Sequence, residues 1–140
     1  MIFLTCDHAG FDYMQKLMKY FDGKKIEYTY MGPKEYDKDD DYPDFVHPAC
    51  KEVLKSEDHS GIFMCGSGAG ANMVANRYKG IRAICASDEV EAFFARKDED
   101  ANVLTIGSRF VSFRRALKII QTFLTSEFEG GRHARRIAKY

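Results

Sequence analysis

SGIFMCGSGAGANMVA, residues Ser60 to Ala75, is the stretch whose reading decides the fold. Ile62, Phe63 and Met64 make an apolar run of strand length that ends on Cys65. Gly66, Gly68 and Gly70 follow at alternate positions, and a helical pattern starts at about Ala69. A strand that hands over to a helix through such a turn leaves backbone N–H groups free at the helix N-terminus, where they can hold an anion. An environment of that kind also favours a thiolate. Two plainer readings compete. The glycines can serve only a tight turn. Alternatively, Gly66-x-Gly68-x-x-Ala71 matches a dinucleotide fingerprint, with Asp88 near the offset for a ribose contact. The match follows a third strand, and about seventy residues remain for a second nucleotide half.

Outward from this segment, strand-like and helical runs alternate. Strands are expected at Ile2–Cys6, Ile26–Met31, Gly61–Cys65, Ile81–Ala86 and Val103–Ile106. Helices are expected from Phe11 to about Phe21, from Pro43 to Leu54, from Ala69 to Tyr78, from an N-cap at Ser87 to Lys97, and from Phe113 to Leu124. The charged stretch Lys34 to Asp44 reads as a solvated loop. Strands joined through helices imply right-handed crossovers and a parallel sheet covered on both faces. The fold class is α/β, a Rossmann-like three-layer α/β/α arrangement with a five-stranded parallel sheet, in a single domain over 1–140. Ligands of such sheets gather beyond the strands' carboxyl ends, which directs attention to Asp7-His8, the Cys65 loop, Ser87-Asp88 and Gly107-Ser108-Arg109.

The composition excludes several functions. Lys+Arg and Asp+Glu both total 21, so net charge points to neither nucleic acid nor membrane. No apolar run approaches the ~20 residues of a bilayer span, and the N-terminus lacks a basic start, so no leader and a cytoplasmic location are expected. Cys6, Cys50, Cys65 and Cys85 lack zinc-knuckle spacing. Cys6, Cys50 and Cys85 are expected as small core residues, leaving Cys65 as the cysteine placed for chemistry. In the tail, Arg132 and Arg136 stand four apart, so one helical face can aim both guanidiniums at one oxyanion. A phosphate is the natural ligand. The plainer alternatives are an N-cap Asp7 with a surface His8, and a merely solvated tail.

The motifs Asp7-His8-Ala9-Gly10-Phe11, Asp41-Tyr42-Pro43-Asp44-Phe45, Cys65-Gly66-Ser67-Gly68-Ala69-Gly70, Asp100-Ala101-Asn102-Val103-Leu104, Gly107-Ser108-Arg109 and Glu129-Gly130-Gly131-Arg132-His133 occur in that order. Together they resemble the type B ribose-5-phosphate isomerases, a family that includes galactose-6-phosphate and allose-6-phosphate isomerases. The resemblance runs essentially from end to end. It implies a homodimer, in some members paired into tetramers, with active sites at the dimer interface. It also implies aldose–ketose isomerisation of a phosphorylated sugar through a cis-enediolate, without cofactor or metal. On that template Cys65 is the base and Ser67 assists proton transfer. The amides of Gly66, Gly68, Ala69 and Gly70 hold the oxyanion. His8, Arg109, Arg132 and Arg136 bind phosphate, the last two from the tail at about 126–140, and Asp7 and Tyr42 meet sugar hydroxyls.

One departure is visible. Members acting on ribose 5-phosphate usually read Arg-Glu-His-Asn where this chain has Arg96-Lys97-Asp98-Glu99. Asp98 therefore occupies the ring-opening position and Glu99 the adjoining substrate-binding one. A carboxylate, with an ordinary pKa of about 4, is a poor proton donor at neutral pH. The expected activity is interconversion of ribose 5-phosphate and ribulose 5-phosphate. The alternatives are an isomerase of another pentose or hexose phosphate, of the allose or galactose 6-phosphate type, or a sugar-phosphate-binding subunit with weak or no turnover.

Overall fold

The apolar runs Ile2–Cys6 (β1), Ser60–Cys65 (β3) and Val103–Gly107 (β5) become the three central strands of a parallel sheet, flanked by Tyr28–Tyr30 (β2) and Ala83–Cys85 (β4). The computed structural model describes the whole chain, Met1–Tyr140. The strand order is β2-β1-β3-β5-β4, with every pairing parallel. Between the strands run α1 (Phe11–Lys24), α2 (Tyr42–Val53), α3 (Ala69–Ala75) and α4 (Glu89–Glu99). After the sheet come α5 (Phe113–Thr125) and a short α6 (Arg132–Ile137). No helix is long and apolar enough to cross a membrane.

Both sheet faces are buried, as a fully covered parallel sheet requires. On one face Leu4, Ile62, Met64, Leu104 and Ile106 pack against Met14, Leu17 and Phe21 of α1, Ala92 and Ala95 of α4, and Ala116, Ile119, Ile120 and Phe123 of α5. On the other, Phe3, Phe63, Cys65 and Val103 pack against Val46, Ala49, Cys50 and Val53 of α2 and Ala71 and Ala75 of α3. Successive side chains of a strand alternate between faces, so Phe63 and Cys65 point together into the α2/α3 layer.

The edge strands are shorter than the sequence suggests. Ile26–Met31 contracts to Tyr28–Tyr30, and Ile81–Ala86 to Ala83–Cys85. Beyond them, side chains replace strand partners. Asn76 accepts from the Ala83 N–H and donates to its carbonyl, both at 2.9 Å, so α3 ends at Ala75 instead of Tyr78. The N-cap of α4 is Asp88, whose carboxylate accepts from the Glu91 N–H at 2.8 Å. Ser87 instead donates to the Glu91 side chain from its amide and its hydroxyl. Asp88 is thereby committed to a helix terminus, not to a ribose contact.

From β1 the chain passes through α1 to β2 on one side, and from β2 it returns through α2 to β3 on the other side of β1. The carboxyl ends of β1 and β3 thus diverge at a topological switch point, where α/β sheets open a crevice.

Candidate active site

That crevice holds a cavity of about 320 Å³ lined by Asp7, His8, Tyr42, Cys65, Gly66, Ser67, Ala69, Gly70 and Arg109, with Met73 at its side. Cys65 is three per cent exposed, at the last position of β3. The Gly68 N–H donates to its Sγ at 3.1 Å, an arrangement in which a backbone dipole supports negative charge on sulfur. Gly68 adopts φ +78°, and a Cβ there would lie 2.6 Å from Cys85 Sγ and 2.9 Å from the Gly107 nitrogen. Only glycine fits that backbone without strain. Burial pushes the Cys6 and Cys50 thiols up to about 12, which leaves them inert core residues. Cys85 departs from the core role expected of it. It is half-buried, with Sγ 3.7 Å from the Ser67 carbonyl, because β4 is an edge strand and the glycine turn passes beside it.

Two close approaches shape the cavity floor. The Arg109 guanidinium lies over Gly66, where a Cβ would stand 2.8 Å from its Cζ. The Tyr42 ring lies over Gly70, where a Cβ would stand 2.7 Å from its Cζ. These glycines are required by proximity, Gly66 to the arginine and Gly70 to the tyrosine. Ser108 draws the strand ends together, its hydroxyl 2.6 Å from the Ala9 carbonyl and 3.3 Å from that of Cys65.

His8 is held from behind. Its backbone N–H donates to Asp40 Oδ1 at 2.9 Å, and its Nδ1 meets the same oxygen at 2.6 Å. Asp40 keeps its His8 the cation longer, raising the imidazole pKa above its ordinary value. The Asp40 side chain is only seven per cent exposed, and Oδ2 has no partner. The stretch expected to be a solvated loop therefore folds a carboxylate under the imidazole. Asp7 is buried, its Oδ1 accepting from the Gly10 N–H at 3.0 Å. Burial raises its carboxyl pKa, opposed by that amide and by His8. Gly10, not Asp7, is the N-cap residue of α1.

Asp7, His8, Tyr42, Cys65, Gly66, Ser67, Gly68, Ala69, Gly70 and Arg109 are thus brought together in one protomer. Asp98, Glu99, Arg132 and Arg136 are not. Asp98 and Glu99 line a separate cavity of about 480 Å³ bounded by β4, α4 and Tyr140. Glu99 accepts from the Tyr140 hydroxyl, and Arg132 lies 3.6 Å from Glu129. Two residues of the Asp100–Asn102 motif have structural work in the fold. The Asp100 carboxylate bridges Arg82 at 2.9 Å and Arg96 at 3.0 Å, and the Asn102 side-chain Oδ1 accepts from the Arg82 backbone N–H at 2.8 Å. The side chains placed closely enough to share a metal ion are Asp98, Glu129 and His133. His133, next to the predicted Arg132 and absent from the predicted site, is buried. Its signal is one position in the Glu129–His133 motif.

The sequence matches the ribose/galactose isomerase family over residues 2–140. It is 38% identical to a probable ribose-5-phosphate isomerase B of Mycoplasma pneumoniae, across 99% of this chain and 91% of that protein. To ribose-5-phosphate isomerase B of Escherichia coli it is 33% identical, across 94% of this chain and 88% of that one. The crystal structure of ribose-5-phosphate isomerase B from Mycoplasma genitalium with bound ribulose 5-phosphate superposes with a TM-score of 0.94. It is 40% identical, with 99% of this chain and 91% of that one covered. A ribose 5-phosphate isomerase structure from Thermotoga maritima gives a TM-score of 0.93 at 38% identity, covering 99% and 94%.

Proposed function

The chain belongs to the ribose/galactose isomerase family and is a sugar-phosphate isomerase, and on that premise we propose that it interconverts ribose 5-phosphate and ribulose 5-phosphate. The observation that carries this reading is the Cys65 thiol, beside the Gly68 amide in a cavity that also holds Asp7, His8, Tyr42 and Arg109. Cys65 takes the proton from C2 of the open-chain aldose and returns it to C1, through a cis-enediolate and without a metal. The turn amides from Gly66 to Gly70 face the oxygen on which charge develops, and one preorganised donor of this kind contributes about 3–4 kcal/mol. Ser67 assists the proton shift between oxygens. Arg109 and the cationic His8 take the phosphate, while Asp7 and Tyr42 hold hydroxyls.

The remaining phosphate ligands come from a second copy of the chain. In one protomer Arg132 and Arg136 stand outside the cavity, and α4 exposes Val90, Phe93 and Phe94 on an uncovered apolar face. A two-fold dimer supports this arrangement, because it places the same surface on both subunits and gives each site one contribution from either chain.

Asp98 favours a second reading. A carboxylate where a ring-opening imidazole is usual fits a different pentose or hexose phosphate, or a binding subunit of low turnover. A coupled isomerase assay across pentose 5-phosphates and hexose 6-phosphates, comparing the chain with Cys65→Ala, decides among these. Full activity in the alanine variant overturns the thiol's role. Turnover of a hexose 6-phosphate with none of ribose 5-phosphate transfers the activity to the second reading.

A further inference from the structure

His133 stands in the first turn of α6, four per cent exposed, and its Nε2 is sealed from solvent with no hydrogen-bond partner. Buried polar atoms are nearly always paired, so an orphaned imidazole nitrogen points to something that meets it. Asp98 Oδ1, in the last turn of α4, lies 3.7 Å from Nε2. That is too long for a hydrogen bond, which closes by about 3.2 Å. It suits two ligands of one ion. Donors of a tetrahedral zinc site, each about 2.0–2.2 Å from the metal, stand about 3.4 Å apart. A carboxylate oxygen of Glu129, in the segment leading into α6, completes a triangle, the three atoms all lying within 4.8 Å of one another. Main-chain bonds already hold these groups in place. The Glu129 N–H donates to the Lys97 carbonyl at 2.9 Å, and the His133 N–H to the Gly130 carbonyl at 3.1 Å.

We propose that Asp98, Glu129 and His133 bind a divalent transition-metal ion, Zn2+ by its donor set, which fastens α6 to α4. One neutral imidazole with two carboxylates is a set that zinc accepts, whereas Mg2+ and Ca2+ favour oxygen alone. The two carboxylates balance the ion's charge. The fourth position opens to solvent, since the Asp98 and Glu129 side chains are 30% and 40% exposed. Two cations face Glu129, Lys97 at 3.0 Å and Arg132 at 3.6 Å. Both reach solvent, which weakens their hold. Lys97 keeps one oxygen as an outer-shell partner. Arg132, beyond hydrogen-bond distance, gives way, so the ion and Arg132 compete for Glu129. None of the three ligands lines the Cys65 cavity of its own protomer. The ion's part is to hold the tail, because a helix of six residues is too short to persist unaided. The site stands whichever sugar phosphate the enzyme turns over.

The full chain, stripped with chelator and titrated with ZnCl2 in a calorimeter, should bind one ion per chain, and its Tm should rise with ZnCl2 concentration. Co2+ in place of zinc should give the visible bands of a four-coordinate ion, without the near-ultraviolet band of a thiolate ligand. Cys65→Ala should bind the metal as the parent does. Asp98→Asn and Glu129→Gln, both at positions open to solvent, should each weaken binding by about 100-fold, the upper end of what loss of an outer-shell partner costs. They decide the matter if His133→Asn prevents folding. Arg132→Ala should tighten binding by up to about fivefold, the worth of an exposed ion pair, a gain that misfolding cannot mimic. Affinity unchanged in both Asp98→Asn and Glu129→Gln overturns the site. So does a thiolate band that disappears in Cys65→Ala, or a parent chain that binds no ion.

Discussion

His8 and Asp40 are joined twice through a single oxygen, Oδ1 accepting from the His8 backbone at 2.9 Å and meeting Nδ1 at 2.6 Å. Asp40 thereby fixes both the position of the main chain and the rotation of the ring. With Nδ1 occupied, Nε2 is the nitrogen left to meet a ligand, and the carboxylate favours the cationic ring.

Asp40→Asn should lower the His8 pKa toward its ordinary value of about 6.5, as read from the imidazole resonances by NMR. Because the folded-state value is raised, the parent's stabilisation from this pair is fully present below the unfolded value. It is lost as pH rises through the folded one. The Tm deficit of Asp40→Asn should therefore be largest at low pH and shrink as pH rises. KM for the sugar phosphate should rise more between pH 6 and pH 8 in the variant than in the parent. Parallel KM curves would detach Asp40 from phosphate binding.

Cys65→Ala should lower kcat by about 100- to 10,000-fold, the range general-base catalysis supplies. Substrate binding, measured by calorimetry, should persist, because the turn amides and phosphate ligands remain. Loss of binding together with kcat would assign the thiol to the architecture of the turn.

Gly66→Ala places a methyl group where the Arg109 guanidinium lies, 2.8 Å from its Cζ. The backbone there is not in the left-handed region, so the fold should survive. The arginine must swing away. A charge-assisted hydrogen bond is worth about 1.5–3 kcal/mol, so KM should rise by about 10- to 150-fold with a smaller change in kcat. A change confined to kcat would mean that Arg109 serves the chemistry instead of the phosphate.

Arg132→Ala should likewise raise KM more than it lowers kcat. Mixed with Cys65→Ala under conditions that exchange subunits, it should restore about a quarter of the parent activity. Half of the dimers are then mixed, and each mixed dimer has one site free of both lesions. No recovery would confine Arg132 and Cys65 to the same chain.

The central strands were legible because burial on both faces leaves continuous apolar runs, as in Ile62–Met64 and Val103–Ile106. The edges were not. Nothing in Ile81–Ala86 announces that Asn76 will occupy its free side, since that contact depends on where a helix stops. The same distinction holds in the site. Cys65 and the glycines are local signals, read from one turn. Asp40 carries no periodicity and reaches His8 across 32 positions. The burial of His133 follows from α6 lying on α4, which no local pattern states, whereas the four-residue spacing of Arg132 and Arg136 is local.

Phe63 and Cys65 leave β3 on the same side, and Met64 leaves on the other. This alternation restricts how the segment can evolve. Deleting or inserting one residue within β3 would bring a thioether, or glycine's bare hydrogen, to the place of the thiol, and in the same event would turn the strand's packing residues inside out. The proposed base and the packing would be lost together, with no intermediate that keeps either. Drift in length is thus diverted to the connections on either side, while β3 itself can change only by substitution.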